Sequence, residues 1–248
     1  MYSDNASPQA ISHRGLRASA PENSLPAFIH ALNAGAEAIE LDVHASRDGT
    51  LFVHHDARVA PGDDDPRSTP APIAQLDTAD IARLRLAGDV PIPTLDDVLS
   101  EVASRAFVYI EIKAQSVESE VARCLRRHAT TLDNCAVHAF DHRVVKRLLS
   151  VLPSLRTGIL QVSYPIDSRA AMRAAGATDL WQHVDFIDAS LVSDVRATGG
   201  RVIAWTVNDI ADWERLAMLG VHGICTDRVD DYVHWKASSV LAAQAGRR

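Results

Sequence analysis

The chain is short of cysteines, aromatics and long apolar runs, and each shortage removes a class of protein. Three cysteines, Cys124, Cys135 and Cys225, are odd in number and unpaired in spacing. That excludes a disulfide scaffold and fits buried thiols in a reducing compartment. No stretch approaches the ~20 apolar residues that cross a bilayer, and the first ten residues, MYSDNASPQA, hold no apolar signal core. A cytoplasmic protein without stable membrane association is expected. Phe, Trp and Tyr make up only 5% of the residues, too few for an aromatic-rich membrane-binding stretch. Lys and Arg form no dense block and the formal net charge is −7, which argues against nucleic acid or anionic lipid as partner while leaving room for a local cationic pocket. No Gly-rich phosphate loop follows the first strand, which counts against an open doubly wound sheet.

What is present points to an α/β barrel. A length of 248 residues with 47% of them apolar supports a sizeable core and equals the ~250 residues usual for a (β/α)8 chain. A strand at 9–12 ends in His13-Arg14-Gly15. Ser24 can cap a helix in which Leu25, Phe28, Ile29 and Leu32 recur at helical spacing and which Gly35 stops. The next stretch, 35–56, is the most informative. Ala38, Glu40, Asp42 and His44 alternate with Ile39, Leu41 and Val43, so the polar groups share one face and two carboxylates sit roughly 7 Å apart. Asp48-Gly49 is a two-residue hairpin signal leading into the antiparallel run 51–53 and then His54-His55-Asp56.

Residues 57–93 read as a short insertion at the barrel mouth, rich in Pro, with Asp63, Asp64 and Asp65 in a solvated loop and a helical stretch near 77–86. From Thr94 strands and helices alternate. Strands fall at 107–112, 134–138, 157–161, 180–183 or 186–187, 202–207 and 223–226. Helices fall at 95–104, 117–128, 142–149 behind a capping Asp141, 168–175, 191–198 and 210–219, with a last helix to about 235 and a frayed tail over 237–248. Without the hairpin strand there are eight βα units in one domain, which predicts a TIM (β/α)8 barrel with a β-hairpin and short insertion after strand two.

In such a barrel the strand ends converge. They deliver His13 and Arg14, Glu40 and Asp42, His55, Glu111 and Lys113, Trp205 and Asn208, and Asp227 to one mouth. Glu111 and Lys113 alternate with Val108, Ile110 and Ile112, so the charged face again points inward. Three carboxylates in a desolvated mouth repel one another unless a cation neutralises them. An all-oxygen set suits Mg²⁺ or Ca²⁺, and His44 or a site histidine would tilt it toward a transition metal. Arg14 and Lys113 form an anion cradle, for which phosphate is the fitting anion. Two histidines beside it can serve as general acid and base, so phosphoester cleavage follows as the reaction class. Two other readings use fewer of these residues: a salt-bridge network in a non-catalytic barrel, and a Schiff-base Lys113 in an aldolase-like barrel.

The motifs also resemble a known family. His13-Arg14-Gly15, Pro21-Glu22-Asn23-Ser24, Glu40-Leu41-Asp42-Val43, Asp48-Gly49 with His55-Asp56, Ile92-Pro93-Thr94-Leu95, Glu111-Ile112-Lys113, Trp205-Thr206-Val207-Asn208 and Gly223-Ile224-Cys225-Thr226-Asp227 stand in the order found in glycerophosphodiester phosphodiesterases. The resemblance implies hydrolysis of glycerophosphodiesters to glycerol 3-phosphate and an alcohol. It also implies Glu40, Asp42 and Glu111 as ligands of a divalent metal, His13 and His55 as the acid/base pair, Arg14 and Lys113 on the phosphate, and Trp205 on the glycerol side. A lysophospholipase D-type lipid substrate is the enzymatic alternative. The oligomeric state, the order of acid and base, and the choice of water or a substrate hydroxyl as nucleophile stay open. The chain departs from the family at 57–62 and at His138-Ala139-Phe140, where a serine is common. Both departures are expected at the pocket rim, away from the metal and acid/base set.

Overall fold

Eight strands of period two, joined edge to edge in a ring, organise the molecule. The computed structural model describes residues 7–60 and 69–245, with side chains through Ser239; the three aspartates at 63–65 lie outside the described residues. The strands are β1 (Gln9–His13), β2 (Ala38–Ala45), β3 (Phe107–Ile112), β4 (Cys135–Ala139), β5 (Arg156–Gln161), β6 (Asp179–His183), β7 (Arg201–Trp205) and β8 (Gly223–Thr226). Each is parallel to its neighbours in chain order, and β1 pairs with both β8 and β2, so the sheet closes into a TIM barrel.

The alternation seen in the sequence divides the side chains between two cores. One residue from each strand, Ile11, Ala38, Tyr109, Ala136, Leu160, Trp181, Ile203 and Cys225, fills a layer across the barrel interior. The intervening Ile39, Leu41, Val43, Val108, Ile110 and Ile112 pack outward against the helices. Small Ala38 and Ala136 flank β3, whose Tyr109 meets Trp181 edge-on across the interior at 5.0 Å. Toward the amino ends of the strands, fully buried Asp179 accepts from Arg201 (2.6 and 2.8 Å) and Arg156 (3.1 Å). Arg201 also donates to the Tyr109 hydroxyl, which donates to Gln9. The bottom of the barrel is thus closed by a paired charge cluster.

Eight helices cover the outside: α1 (Leu25–Asn33), α2 (Leu95–Val102), α3 (Glu118–Arg127), α4 (His142–Val151), α5 (Ala170–Ala175), α6 (Ala189–Arg196), α7 (Ile210–Leu219) and α8 (Val229–Ala245). The caps read from sequence are in place. Ser24 accepts the Ala27 N–H, and Asp141 accepts the Arg143 N–H, each such cap contributing about 1 kcal/mol. Helix α8 runs past the expected end near Trp235 to Ala245. Trp235 stacks on Tyr232 at 5.6 Å and meets Trp213 of α7 at 6.0 Å, and the alanines beyond it are strong helix formers. The strand expected to reach 207 ends at Trp205, and of the two options for β6 the earlier one, Asp179–His183, is adopted.

After β2 the chain turns back through an antiparallel strand, Leu51–Val53, with Val43 opposite Val53 and Ala45 opposite Leu51. The connection is a five-residue loop, 46–50, rather than the two-residue turn that Asp48-Gly49 suggests. Its closure comes from Ser46: the Ser46 and Thr50 backbones bond at 2.9 Å, and the Thr50 N–H also donates to Ser46 Oγ at 2.9 Å. Asp48 accepts from Ser46 Oγ (2.6 Å) and from the Thr78 backbone (3.0 Å), tying the loop to the insertion. The described residues of the insertion, 57–60 and 69–93, form a small lobe with two-residue ribbons, Arg58–Val59 with Ala71–Pro72 and Arg85–Leu86 with Val90–Pro91. The helical stretch expected over 77–86 shortens to Thr78–Ile81, because Arg85 and Leu86 pair as a ribbon. Phe52, Val59, Ile73, Ile81 and Ile92 give the lobe a core of its own.

Candidate active site

Parallel register sets the chemistry side by side at the carboxyl ends of four adjacent strands. His13 lies opposite Glu40, Asp42 opposite Glu111, and Glu111 opposite His138. The turn after β1 needs an unusual backbone. Arg14 has φ +60 and Gly15 φ +86, and a Cβ on Gly15 would lie 2.6 Å from that of Ala27, so only glycine fits. Arg14 is held in this strained region by its N–H on the Glu40 carbonyl and its carbonyl on the Asn23 N–H, both at 2.9 Å. Asn23, itself at φ +56, then reaches Asp42 with its side-chain amide at 2.9 Å.

The acids are buried and unequally paired. Asp42 is fully buried and meets Arg14 Nε at 3.0 Å and Lys113 Nζ at 3.2 Å. Burial would raise its carboxyl, but Arg14, Lys113 and Asn23 outweigh burial and hold it below the ordinary carboxylate range. Lys113 also meets Glu111 Oε1 at 2.8 Å. Glu111 nonetheless sits above its ordinary value, through burial and the charges of Asp42 and Glu40. Glu40 is pushed up to about 7 by burial and by Asp42. Its Oε2 has no hydrogen-bond donor, and the nearest ionisable nitrogen is His13 Nε2 at 3.9 Å. Three acids against two cations leave the wall one positive charge short.

A metal ion fits that deficit. Ligand atoms of Glu40, Glu111 and His138 lie within 4.8 Å of one another, while the oxygens of Asp42 are engaged by Arg14, Lys113 and Asn23. His138 is therefore inside the acidic cluster and 1% exposed, not at the rim where the sequence comparison sets it. The reason is period two: Ala136 and His138 face inward while Cys135, Val137 and Ala139 face the helices. Burial lowers the His138 pKa to about 4, so the ring is neutral, the form that ligates metals.

The two candidate acid/base histidines are held differently. His13 Nδ1 donates to Asp227 Oδ1 at 2.7 Å, leaving Nε2 aimed at the acidic wall. Burial alone would lower its pKa, but the Asp227 bond and the Glu40 charge raise it. Asp227 also accepts from Arg17 (3.0 Å) and Asn208 (2.8 Å) and is held well below the ordinary carboxylate range. His55 is 36% exposed at the side chain and bonds Asp56 at 2.8 Å. Its carbonyl accepts from Nε2 of His44 at 3.0 Å, so His44 braces the His55 backbone. His54 points elsewhere, to the Asp56 carbonyl. Trp205 stands at the mouth between Phe140 and His183, each ring 5.5 Å away.

Buried acids, two cations meeting on Asp42 and a carboxylate-held imidazole at the carboxyl end of a closed (β/α)8 barrel define a barrel hydrolase for an anionic ester. The chain matches the glycerophosphoryl diester phosphodiesterase family over residues 13–231. A glycerophosphodiester phosphodiesterase from Caldanaerobacter subterraneus subsp. tengcongensis is 30% identical over 88% of this chain and 93% of its own length. The crystal structure of glycerophosphodiester phosphodiesterase from Agrobacterium tumefaciens str. C58 superposes with a TM-score of 0.78 at 26% identity, covering 90% of this chain and 97% of that one. An Oleispira antarctica phosphodiesterase shares the fold with a TM-score of 0.81 at 22% identity, covering 93% and 97%. The chain belongs to the glycerophosphoryl diester phosphodiesterase family and is an enzyme of that class. No helix among the described residues is long and apolar enough to cross a membrane.

Proposed function

We propose that this chain hydrolyses small glycerophosphodiesters to glycerol 3-phosphate and an alcohol, with a divalent cation and two histidines. The observation that carries the reading is the wall itself. His13, held by Asp227 at 2.7 Å, turns Nε2 toward an acidic cluster that already binds Arg14 and Lys113. The Oleispira antarctica fold relative was crystallised with the product sn-glycerol-3-phosphate, which agrees with this substrate class. Glu40 and Glu111 would hold the cation, with Asp42 joining the oxygen set as Arg14 and Lys113 turn to the phosphate; such a set suits Mg²⁺ or Ca²⁺. When bound, the cation offsets the negative charge of the phosphoryl oxygens.

The protein's own groups do the rest. Arg14 and Lys113 bind the phosphodiester oxygens and align the phosphorus for attack. One histidine takes the proton of the attacking oxygen, whether that of water or of the glycerol hydroxyl, as the new P–O bond forms. The other gives a proton to the departing alkoxide as the old bond breaks; where the glycerol hydroxyl attacks, a cyclic phosphate forms first and water then opens it to glycerol 3-phosphate with the two histidines in exchanged roles. Trp205 packs on the glycerol side. The test is a panel of glycerophosphodiesters assayed with Mg²⁺, Ca²⁺, Mn²⁺ and chelator. Chelator-sensitive release of glycerol 3-phosphate is expected, and metal-independent or absent release from every member would overturn the reading.

A second reading, a lysophospholipase D-type lipid substrate, gains one observation the sequence did not announce. Phe140, Val162, Tyr164 and Ile166, on the loops after β4 and β5, expose large apolar surface at the mouth. Lysophosphatidylcholine in the same panel separates the two, since turnover exceeding that of glycerophosphocholine would favour the lipid.

A further inference from the structure

His138 brings two idle polar atoms into the acidic wall. Both ring nitrogens lack a hydrogen-bond partner although the residue is 1% exposed, and leaving a buried polar atom unsatisfied costs about 1–3 kcal/mol. The ring is not placed there for packing convenience alone. It stacks face to face on Trp181, with centroids 4.1 Å apart and planes 12° from parallel, which fixes the direction of its edge. That edge meets Glu40: Nε2 lies 3.7 Å from Oε1. The separation is too long for a hydrogen bond, but two ligands on one ion with bonds of ~2.0–2.2 Å lie roughly 3–4 Å apart. Glu111, paired with His138 across the β3–β4 ladder, brings the third ligand atom within 4.8 Å of the others.

We infer that His138 is a nitrogen ligand of the cation held by Glu40 and Glu111, and that it turns the site from Mg²⁺ or Ca²⁺ toward first-row transition metals. The inference rests on the reading that those two carboxylates hold a cation. Its chemistry is the preference of imidazole for ions such as Co²⁺ and Zn²⁺ over the hard ions that favour oxygen, with Mn²⁺ lowest in the first-row order. The stacked Trp181 then acts as an orienting wall that keeps the lone pair on the ion.

The experiment uses the full chain stripped of metal, with each ion added alone. Binding of Mg²⁺, Mn²⁺ and Co²⁺ is measured by calorimetry for the wild type and for His138→Gln, His138→Ser, His13→Gln and Glu40→Gln, each checked for folding by circular dichroism. Pulsed electron paramagnetic resonance of the Mn²⁺ form reads nitrogen coupling directly. Expected are a wild type that binds Co²⁺ at least ~10-fold more tightly than Mg²⁺, and a nitrogen signal present in the wild type and in His13→Gln. Both the preference and the signal should be lost in the His138 variants. Glu40-dependent binding with no nitrogen coupling in the wild type, or a signal lost in His13→Gln and kept in His138→Gln, would overturn the inference while sparing the cation reading. Binding of every ion unchanged in Glu40→Gln would overturn the cation reading itself.

Discussion

Asp227→Asn is the change that most sharply tests how His13 is held. Three donors converge on the carboxylate: His13 Nδ1 at 2.7 Å and Arg17 at 3.0 Å on one oxygen, Asn208 at 2.8 Å on the other. An amide has one acceptor oxygen, so its NH₂ must face either Asn208 or the His13–Arg17 side. In the first orientation a donor meets a donor. In the second, neutral His13 is driven to carry its proton on Nε2, the atom that faces the acidic wall. A hydrogen bond to a charged group contributes about 1.5–3 kcal/mol, equivalent to about 1–2 pH units at ~1.36 kcal/mol per unit. The sign follows from the directions of both groups. His13 is raised, so the stability from its pairing is full below its unfolded value of ~6.5 and fades as pH rises through the folded value. Asp227 is depressed, so its share is full above ~3.9 and fades as pH falls through the folded value. The variant should therefore lose most stability between about pH 4 and 6.5. The rate limb set by His13 should move to lower pH by about 1–2 units, with kcat/KM down by about 10²–10³-fold. A pH series of glycerol 3-phosphate release, with urea unfolding at pH 5.5 and 8.5, reads both. A uniform loss of rate with the limb unmoved would refute the role given to Asp227, and so would a rate within twofold of wild type.

Two further outcomes follow from the same structure. His13→Ala and His55→Ala should each lower turnover by at least ~10²-fold with folding intact, and near-normal activity in either, measured on glycerophosphocholine, removes that residue from the acid/base pair. Asp179→Ala leaves half-buried Arg156 without its carboxylate and Arg201 with the Tyr109 hydroxyl, so unfolding in urea should show a loss of about 1–3 kcal/mol, and a loss well under ~1 kcal/mol would mean that water solvates the arginines fully.

Much of this was legible in the chain because period two is simple to read. The inward set Glu40, Asp42, Glu111 and Lys113 and the outward set Ile39, Leu41, Val43, Val108, Ile110 and Ile112 separate in the sequence as they do in space. The wider connectivity of the mouth was not legible. Asp227 could be placed at a strand end, but its bond to His13 spans 214 residues, and no local pattern encodes it. His138 is expected at the rim with Ala139 and Phe140, as a departure from the family pattern, whereas it is buried in the acidic wall. Counting inward positions along β4 and matching them to Glu111 is the signal that would have found it. The turn at Asp48-Gly49 misled because Ser46 and Thr78 use the aspartate for side-chain bonds, so the loop is three residues longer than the dipeptide alone requires.

The hairpin strand has a consequence that reaches beyond the mouth. Leu51 and Val53 belong to the main core, whereas Phe52 between them belongs to the core of the lobe. A single phenylalanine ring thus plugs the lobe into the barrel, two residues before the histidine pair. A lobe with its own core and this one shared strand would tolerate changes in its loops around a fixed socket. Because His55 follows that strand by two residues, such a change would alter how deeply the histidine and the headgroup meet while the acids across the barrel keep their places.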